Sequence, residues 1–372
     1  MLDEAQRIKT PGRLVTNAAK ALKADFRLAM TGTPVENTFH DLWSIMDFCS
    51  PGVLGSAKDF GREFALSGSW TAAEAATKGE EVRRRIGVYL KRRLKSERLD
   101  EFPQKFRSDD LEQRDRFERF GLARAMPSVQ AGAYRAVYDD AQRQGPMAQG
   151  MMLRRIYELK RISDHPRSLK ESSDECLPAD ESARMIVLGN ILDVVRDLDE
   201  KALIFAEYKT AQRMIRCFVE DRYGVEVSVI NGDMPVGREA VKRSGVSRAK
   251  EVERFNRLPG FAVIVMSPLA GGVGLTVTGA NHVVHFSRHW NPAREEQATD
   301  RTYRIGQTRD VYVYYPMAVL PDIKTFDVIL SDLLRTKRQV AEATLFPSLA
   351  AEVRVEDVWS SAFVTAAQQH EQ

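Results

Sequence analysis

The chain has 372 residues, 43% of them hydrophobic and 29% charged, long enough for two domains with their own cores and typical of the soluble globular class. No apolar run approaches the roughly 18 residues of a membrane span. Nor do the opening residues show a charged stretch followed by an apolar one, so the expected location is cytoplasmic, nucleoid-associated if the source is bacterial, with no membrane partner. A net charge of +3 says little about nucleic acid, and Cys49, Cys176 and Cys217 are too scattered for a zinc site or a disulfide framework.

The chain opens on two adjacent acids, Asp3 and Glu4, suited either to metal and water chemistry or to capping a helix. Thr10 can cap a helix starting at Pro11, with Leu14, Ala18 and Leu22 recurring on one side. A strand over Phe26 to Met30 then delivers Thr31-Gly32-Thr33-Pro34 at its carboxyl end, where open α/β sheets bind ligands. Leu42, Ile45, Met46 and Cys49 mark a helix that stops at Pro51-Gly52. From about 55 to 175 the strand–helix alternation is lost and the chain reads as helical, with patterns over Ala131–Gln142 and Met151–Ile162 and a loop from Gln144 to Gly150. Arg83, Arg84, Arg85, Lys91, Arg92, Arg93, Lys95 and Arg98 gather there with few acids between them, as a solvated helix face or a track for phosphates.

The alternation returns near 182. A helix with Met185, Leu188, Leu192, Val195 and Leu198 precedes strands at Ala202–Ala206, Val225–Ile230, Val263–Met266, Val283–Phe286 and Val311–Tyr315, the pattern of a parallel sheet covered on both faces. Between the third and fourth of these strands lie Gly271, Gly272 and Gly274, which let a backbone approach a ligand closely. A helix opening at Asn291-Pro292 is expected to carry Gln297, Arg301 and Arg304 along one face. Two arginines a turn apart make a clamp for phosphate oxygens, or else belong to an exposed, salt-bridged helix. Beyond about 324, Phe326, Ile329 and Leu333 predict a packed helix, followed by an Ala/Gln-rich disordered tail.

Several of these segments, in this order, resemble the motifs of the Swi/Snf-type ATPases of helicase superfamily two. Leu2 to Lys9 is similar to a Walker B motif, Met30 to Asn37 to motif III, Leu90 to Lys95 to the family's LRRTK, Leu159 to Pro166 to its LRxxCxHP, and Lys201 to Tyr208 to motif IV. Gly271 to Leu275, Trp290-Asn291-Pro292 and Asp300 to Gln307 are similar to motifs V and VI. The resemblance implies a RecA-like fold: a complete second lobe over 176–325, a remnant of a first lobe over 1–55, a helical insertion over 56–175 and a C-terminal helix and tail over 326–372. It also implies ATP and Mg²⁺ as cofactors and double-stranded DNA as partner. Asp3 would hold the metal, Glu4 would act on the attacking water, and Arg301 and Arg304 would meet the transition state. Gln6, Gly271, Gly272, Gly274 and Gln297 would line the nucleotide site, and Thr31 and Thr33 would couple it to lobe closure. Arg92, Arg93, Lys95 and Trp290 would contact DNA, although His289 stands where a second Trp is usual and Ser287 where Asp is usual.

No G-x-x-x-x-G-K-[ST] run, the loop that cradles phosphates, occurs in the sequence. Two expectations follow. The chain is part of an ATP-driven double-stranded DNA translocase whose phosphate-binding half lies elsewhere, possessed of no ATPase activity alone. Alternatively it is a catalytically incomplete DNA- or partner-binding fragment, or one half of a split ATPase whose other half is a separate polypeptide.

Overall fold

The structure, a computed structural model, describes residues 1–32, 39–64, 72–91, 102–144, 149–169, 176–234, 247–268, 274–343, 353 and 355–364. Two compact units are distinguished: one of residues 1–100, 291–293 and 333–352, the other of 101–290, 294–332 and 353–372.

The larger unit is built on a six-stranded sheet in which every pairing is parallel. Its strands are β1 (Lys105–Arg107), β3 (Lys201–Phe205), β4 (Ser228–Ile230), β5 (Ala262–Met266), β6 (His282–His285) and β7 (Val311–Tyr314), in the order β1-β7-β6-β3-β5-β4. A separate parallel pair joins β2 (Ala123–Ala125) to β8 (Met317–Val319). Alternate strand residues serve opposite faces, as the two-residue pleat requires. Ala202, Ile204, Val263, Val265 and Val284 pack with one set of helical residues, including Leu188 and Leu192 of α7 (Ala183–Asp197) and Met214 and Ile215 of α8 (Lys209–Tyr223). Leu203, Phe205, Ile264, Met266 and Val283 pack on the other face with Val252 and Phe255 of α9 (Arg248–Arg257), Leu275, Val277 and Ala298. Both faces of the central strands are thus buried, which is why they read as unbroken apolar runs.

The stretch expected to be helical does contain α5 (Ser128–Gln144) and α6 (Gln149–Asp164). It also contributes the edge strand β1 and the strand β2, which three-residue segments such as Lys-Phe-Arg do not announce. Of the loop expected from Gln144 to Gly150, Gln144, Gln149 and Gly150 are helical, and residues 145–148 lie outside the described set. At the C-terminus α11 (Phe326–Ala343) is followed by a short helix, α12 (Val355–Trp359), and a turn of π-helix at Ser360–Val364. Tyr138 of α5 stacks on Phe363 at 4.9 Å and donates to the Ala362 carbonyl at 3.0 Å, so this part of the expected disordered tail is packed.

The smaller unit contains a 3₁₀ turn (Ala5–Ile8), α1 (Leu14–Ala21), α2 (Phe39–Cys49), α3 (Ala57–Glu63) and α4 (Ala72–Ile86). Helix α1 departs from its expected form. Gly12 adopts φ +79, so no helix runs on from Pro11, and Thr16 donates to the Thr10 carbonyl at 2.8 Å. That bond turns Thr16 and Ala19 inward and leaves Leu14, Ala18 and Leu22 exposed. The strand expected over Phe26–Met30 is present only as a parallel bridge between Leu2 and Ala29, and Phe26, Leu28 and Met30 are exposed. A second correction concerns the cysteines: Cys176 and Cys217 form a disulfide within the larger unit, their Cα atoms 5.8 Å apart. Forty-one residues separate them in sequence, and only the fold brings them together.

Candidate functional site

In the smaller unit the site residues are organised by the Leu2–Ala29 bridge. Leu2 donates its amide to the Leu28 carbonyl at 2.7 Å, and Ala5 donates to Met30 at 3.0 Å, so the two acids project from the same edge as Thr31. Asp3 is exposed and accepts the Glu4 amide on Oδ1 at 2.9 Å. Glu4 is held at φ 53, ψ 48, a left-handed conformation that is costly for a residue with a Cβ and typical of functional turns. Gln6 connects the set. Its Nε2 donates to Glu4 Oε2 at 2.5 Å, and its Oε1 accepts from the Thr31 hydroxyl at 2.8 Å. A single amide thereby orients the glutamate that sequence assigned to water and ties it to the threonine assigned to coupling. Thr33 lies outside the described residues.

In the larger unit the expected single helical face is not formed. Helix α10 (Pro292–Thr299) ends before either arginine. Past Thr299 the chain tightens into successive turns, with Arg301 donating to Ala298 at 3.2 Å, Thr302 to Thr299 at 3.0 Å and Gln307 to Arg304 at 2.9 Å. Gln297 is exposed on the helix, Arg301 is 9% exposed and Arg304 is exposed on the turn. Past this ending the Arg301 carbonyl accepts from the Val277 amide at 2.9 Å, a bond that anchors the turn to a distant segment. His285 at the end of β6 meets the Thr299 hydroxyl at 2.8 Å, and that hydroxyl donates to the Glu295 carbonyl, fixing the last turn. From the opposite side Lys105 and Arg107 of β1 both pair with Glu296, and Lys105 lies over the Tyr303 ring at 4.7 Å.

Gly274 adopts φ +45, suited to a glycine because a Cβ resists this region. Gly271 and Gly272 lie outside the described residues. Beyond the arginines, Gln307 donates from Nε2 to the Ala280 carbonyl at 2.7 Å and to Thr278 and Thr302 at 3.3 Å, while its Oε1 accepts from the Thr308 and Arg309 amides at 3.0 Å. In sequence Gln307 is visible only as the last residue of the motif that carries the arginines. Its burial and five partners make it a hub joining Thr278 and Ala280 to the arginine turn. Both segments follow carboxyl ends of parallel strands, β5 and β6, the edge where such sheets hold ligands.

Trp290, expected at the DNA contact, is packed inside the larger unit. It is buried, 5.5 Å from the Phe326 ring and 6.2 Å from Tyr157, with Lys160 over its face. The Lys160 ammonium is itself paired with Glu207 at 2.5 Å. The position where Asp is usual is also explained. Ser287 donates to the carboxylate of Asp164, which pairs with the buried Arg184, and Arg184 also pairs with Asp327 and donates to the Phe286 carbonyl at 2.9 Å. Burial pushes the Asp164 carboxyl up to about 6 against the opposing pull of Arg184 and Lys160. Burial also lowers the next residue, His165, which stays neutral with Nδ1 accepting from the Arg167 amide and Nε2 facing the Pro178 carbonyl.

Of the basic cluster, Arg92, Arg93, Lys95 and Arg98 lie outside the described residues. Two of its members on α4 face acids that the sequence reading passed over: Arg85 pairs with Glu63 and Glu81, and Arg83 with Glu80 at 3.5 Å.

Residues 1–110 match the SNF2-related domain and residues 184–306 the helicase conserved C-terminal domain. Among curated proteins the chain is similar to the Zorya protein ZorD of Escherichia coli O139:H28, at 37% identity over 92% of this chain and 31% of that protein. It is also similar to a putative ATP-dependent helicase/translocase, YwqA, of Bacillus subtilis, at 32% identity over 92% of this chain and 35% of that one. The chain therefore spans about a third of the length of these relatives. Among solved structures it resembles the Sulfolobus solfataricus SWI2/SNF2 ATPase core domain at 30% identity, with a TM-score of 0.52 and coverage of 99% of this chain and 69% of that one. The same core in complex with dsDNA gives 30% identity, a TM-score of 0.50 and coverage of 99% and 70%.

Proposed function

We propose that this chain, which belongs to the SWI2/SNF2 family of ATPases, supplies the water-activating and arginine-bearing parts of an ATP-driven double-stranded DNA translocase. The observation that carries the reading is the Glu4–Gln6–Thr31 relay. An exposed carboxylate beside a glutamate strained into a fixed orientation suits the two needs of phosphoryl transfer to water, a metal ligand and a water-orienting group.

The donor set fits Mg²⁺. Asp3 offers one carboxylate, and among the described residues no three His, Cys, Asp or Glu gather as a metal cage. Mg²⁺ characteristically takes one or two carboxylates and completes its shell with water and phosphate oxygens. When bound, the metal would neutralise phosphate charge. Glu4 would accept a hydrogen bond from the attacking water, and Arg301 and Arg304 would offer guanidinium donors to the transferring phosphoryl group.

Phosphate binding itself requires a glycine-rich loop with its lysine, from the same polypeptide or another. The exposed apolar residues of the smaller unit, Leu14, Leu22, Phe26 and Leu28, are surface that such a segment would cover. The test is complementation. The chain alone should show no DNA-stimulated ATP hydrolysis above a Glu4→Gln control. Addition of the phosphate-binding segment of the ATPase should create activity that Glu4→Gln abolishes. Equal turnover by wild type and Glu4→Gln in the assembled protein would refute the assignment.

A further inference from the structure

Five consecutive residues, Thr276 to Ala280, are each tied to something outside the segment. Asn256, at the end of α9, donates from Nδ2 to the Thr276 carbonyl at 2.9 Å and accepts the Gly279 amide on Oδ1 at 3.0 Å. Gln307 donates to the Thr278 and Ala280 carbonyls. The remaining residue, Val277, donates its amide to the Arg301 carbonyl. The fit is close, for a Cβ added to Gly279 would stand 2.8 Å from Asn256 Cα. Asn256 is itself immobilised from behind, since Lys201 of β3 donates to the Phe255 and Asn256 carbonyls at 3.2 and 3.1 Å.

We propose that Asn256 is a positioning residue for Arg301. It lies in neither the glycine segment nor the arginine turn. Its amide sets the height of Val277 above α9 by holding the residue before it and a residue after it, and Val277 carries a backbone bond that joins this loop to Arg301. Gln307 locks the other side, so Thr276–Ala280 and the arginine turn form a single block referenced to α9 and β3. Catalytic groups must be held to within a fraction of an ångström, and a displacement of about 1 Å can cost about 100-fold in rate. Truncating Asn256 frees Thr276 and Gly279 and lets the Val277–Arg301 bond shift.

The inference rests on the reading of Arg301 as a catalytic group, and the test separates the two. In the ATPase assembled with its phosphate-binding segment, Asn256→Ala should lower kcat about 10- to 100-fold while KM for ATP stays within about twofold. In an Arg301→Ala background the same substitution should cost less than about a further twofold, because residues acting through one another are non-additive. In the chain alone, amide exchange at Val277 and Gly279 should quicken roughly 10-fold, with the β3 amides unchanged. Asn256→Asp, which keeps the size and the Gly279 bond but sets an acceptor against the Thr276 carbonyl, should reproduce the kcat loss. Equal losses in both backgrounds would mean that Asn256 supports the fold without acting through Arg301, and would overturn the proposal. A silent Arg301→Ala would instead overturn the catalytic reading of the arginine and the positioning claim with it. Unchanged exchange at Val277 would overturn the clamp alone.

Discussion

Ser287 lies with its hydroxyl 3.2 Å from both carboxylate oxygens of Asp164. A serine and an aspartate from segments more than a hundred residues apart are thus joined, and the carboxylate that faces Arg184 comes from α6 although residue 287 lacks one. Removing it with Asp164→Ala leaves Arg184 buried against Asp327 alone. Breaking one arm of a buried charge network is expected to cost about 3–5 kcal/mol, measured by urea unfolding. Asp164→Asn, which keeps the size and can still accept from Ser287, should cost clearly less.

The same carboxylate gives the chain a pH dependence of definite sign. Burial holds Asp164 near 6, above the ordinary 3.8, so between about pH 4 and 6 the folded state keeps a proton that the unfolded state has released. Its contribution to stability is therefore full below about pH 4 and declines as pH rises through 6. Wild type should gain on Asp164→Asn as the pH is lowered from 7 to 4.5. His165, held neutral by burial, works in the opposite direction below about 6.5, but both proteins retain it and it cancels. A stability difference that does not vary with pH would show that Arg184 outweighs burial at this site.

Much of this was legible in the sequence, for identifiable reasons. The central strands are buried on both faces, so Ala262–Met266 and Lys201–Phe205 announce themselves as apolar runs. The site segments were found because glycine, proline and arginine occur there at fixed offsets. What escaped were features set by partners remote in the chain. Lys105–Arg107 is a strand because β7 offers it an edge, and the Arg301 turn is anchored by Val277, a partner that no local pattern announces. Leu14 and Leu22 misled because periodicity reports an apolar face without saying whether anything covers it. Trp290 pointed to DNA by motif alone, and its environment of Phe326, Tyr157 and Lys160 is visible only in three dimensions.

That environment predicts a contribution of Trp290 to stability. Trp290→Ala should cost about 3–5 kcal/mol by emptying a packed site, whereas Trp290→Phe, which keeps most of the ring contacts, should cost roughly 1–2 kcal/mol. The phenylalanine variant should bind duplex DNA with unchanged affinity. A large loss of DNA affinity in a Trp290→Phe protein of near-normal melting temperature would restore the indole as a nucleic-acid contact.

Gly279 offers an independent probe of the clamp around the arginine turn. Any side chain there meets the backbone of Asn256, since the added Cβ would lie 2.8 Å from its Cα and 2.9 Å from its Oδ1. Backbone cannot rotate aside as a flexible side chain can, so Gly279→Ala is expected to cost about 1–3 kcal/mol despite its small size. Thermal unfolding of the purified chain would register the loss. Gly132, where an added Cβ meets nothing within 4 Å, is the control, and Gly132→Ala in the interior of α5 should be neutral or stabilising by up to about 1 kcal/mol. Equal effects at the two positions would contradict the close approach of Asn256.

The last prediction separates the basic cluster by its partners. Arg85 is already paired with Glu63 and Glu81, so its positive charge is offset locally and few counterions are released when it meets a phosphate. If DNA follows this segment, its affinity should be carried by residues such as Arg92 and Arg93. Each phosphate contact adds about 0.9 to the magnitude of the slope of log K against log salt. Replacing Arg92 and Arg93 together by Ala should lower affinity for every duplex sequence alike and flatten that slope by about 1 to 2 units, since phosphate contacts carry no sequence information. Arg85→Ala should change the slope by less than about 0.5. Fluorescence anisotropy with two unrelated duplexes over a range of salt concentrations would measure both. An unchanged slope in the double variant would show the cluster to be a solvated face, and a larger change from Arg85 than from Arg92 and Arg93 together would place the phosphate track on α4 itself.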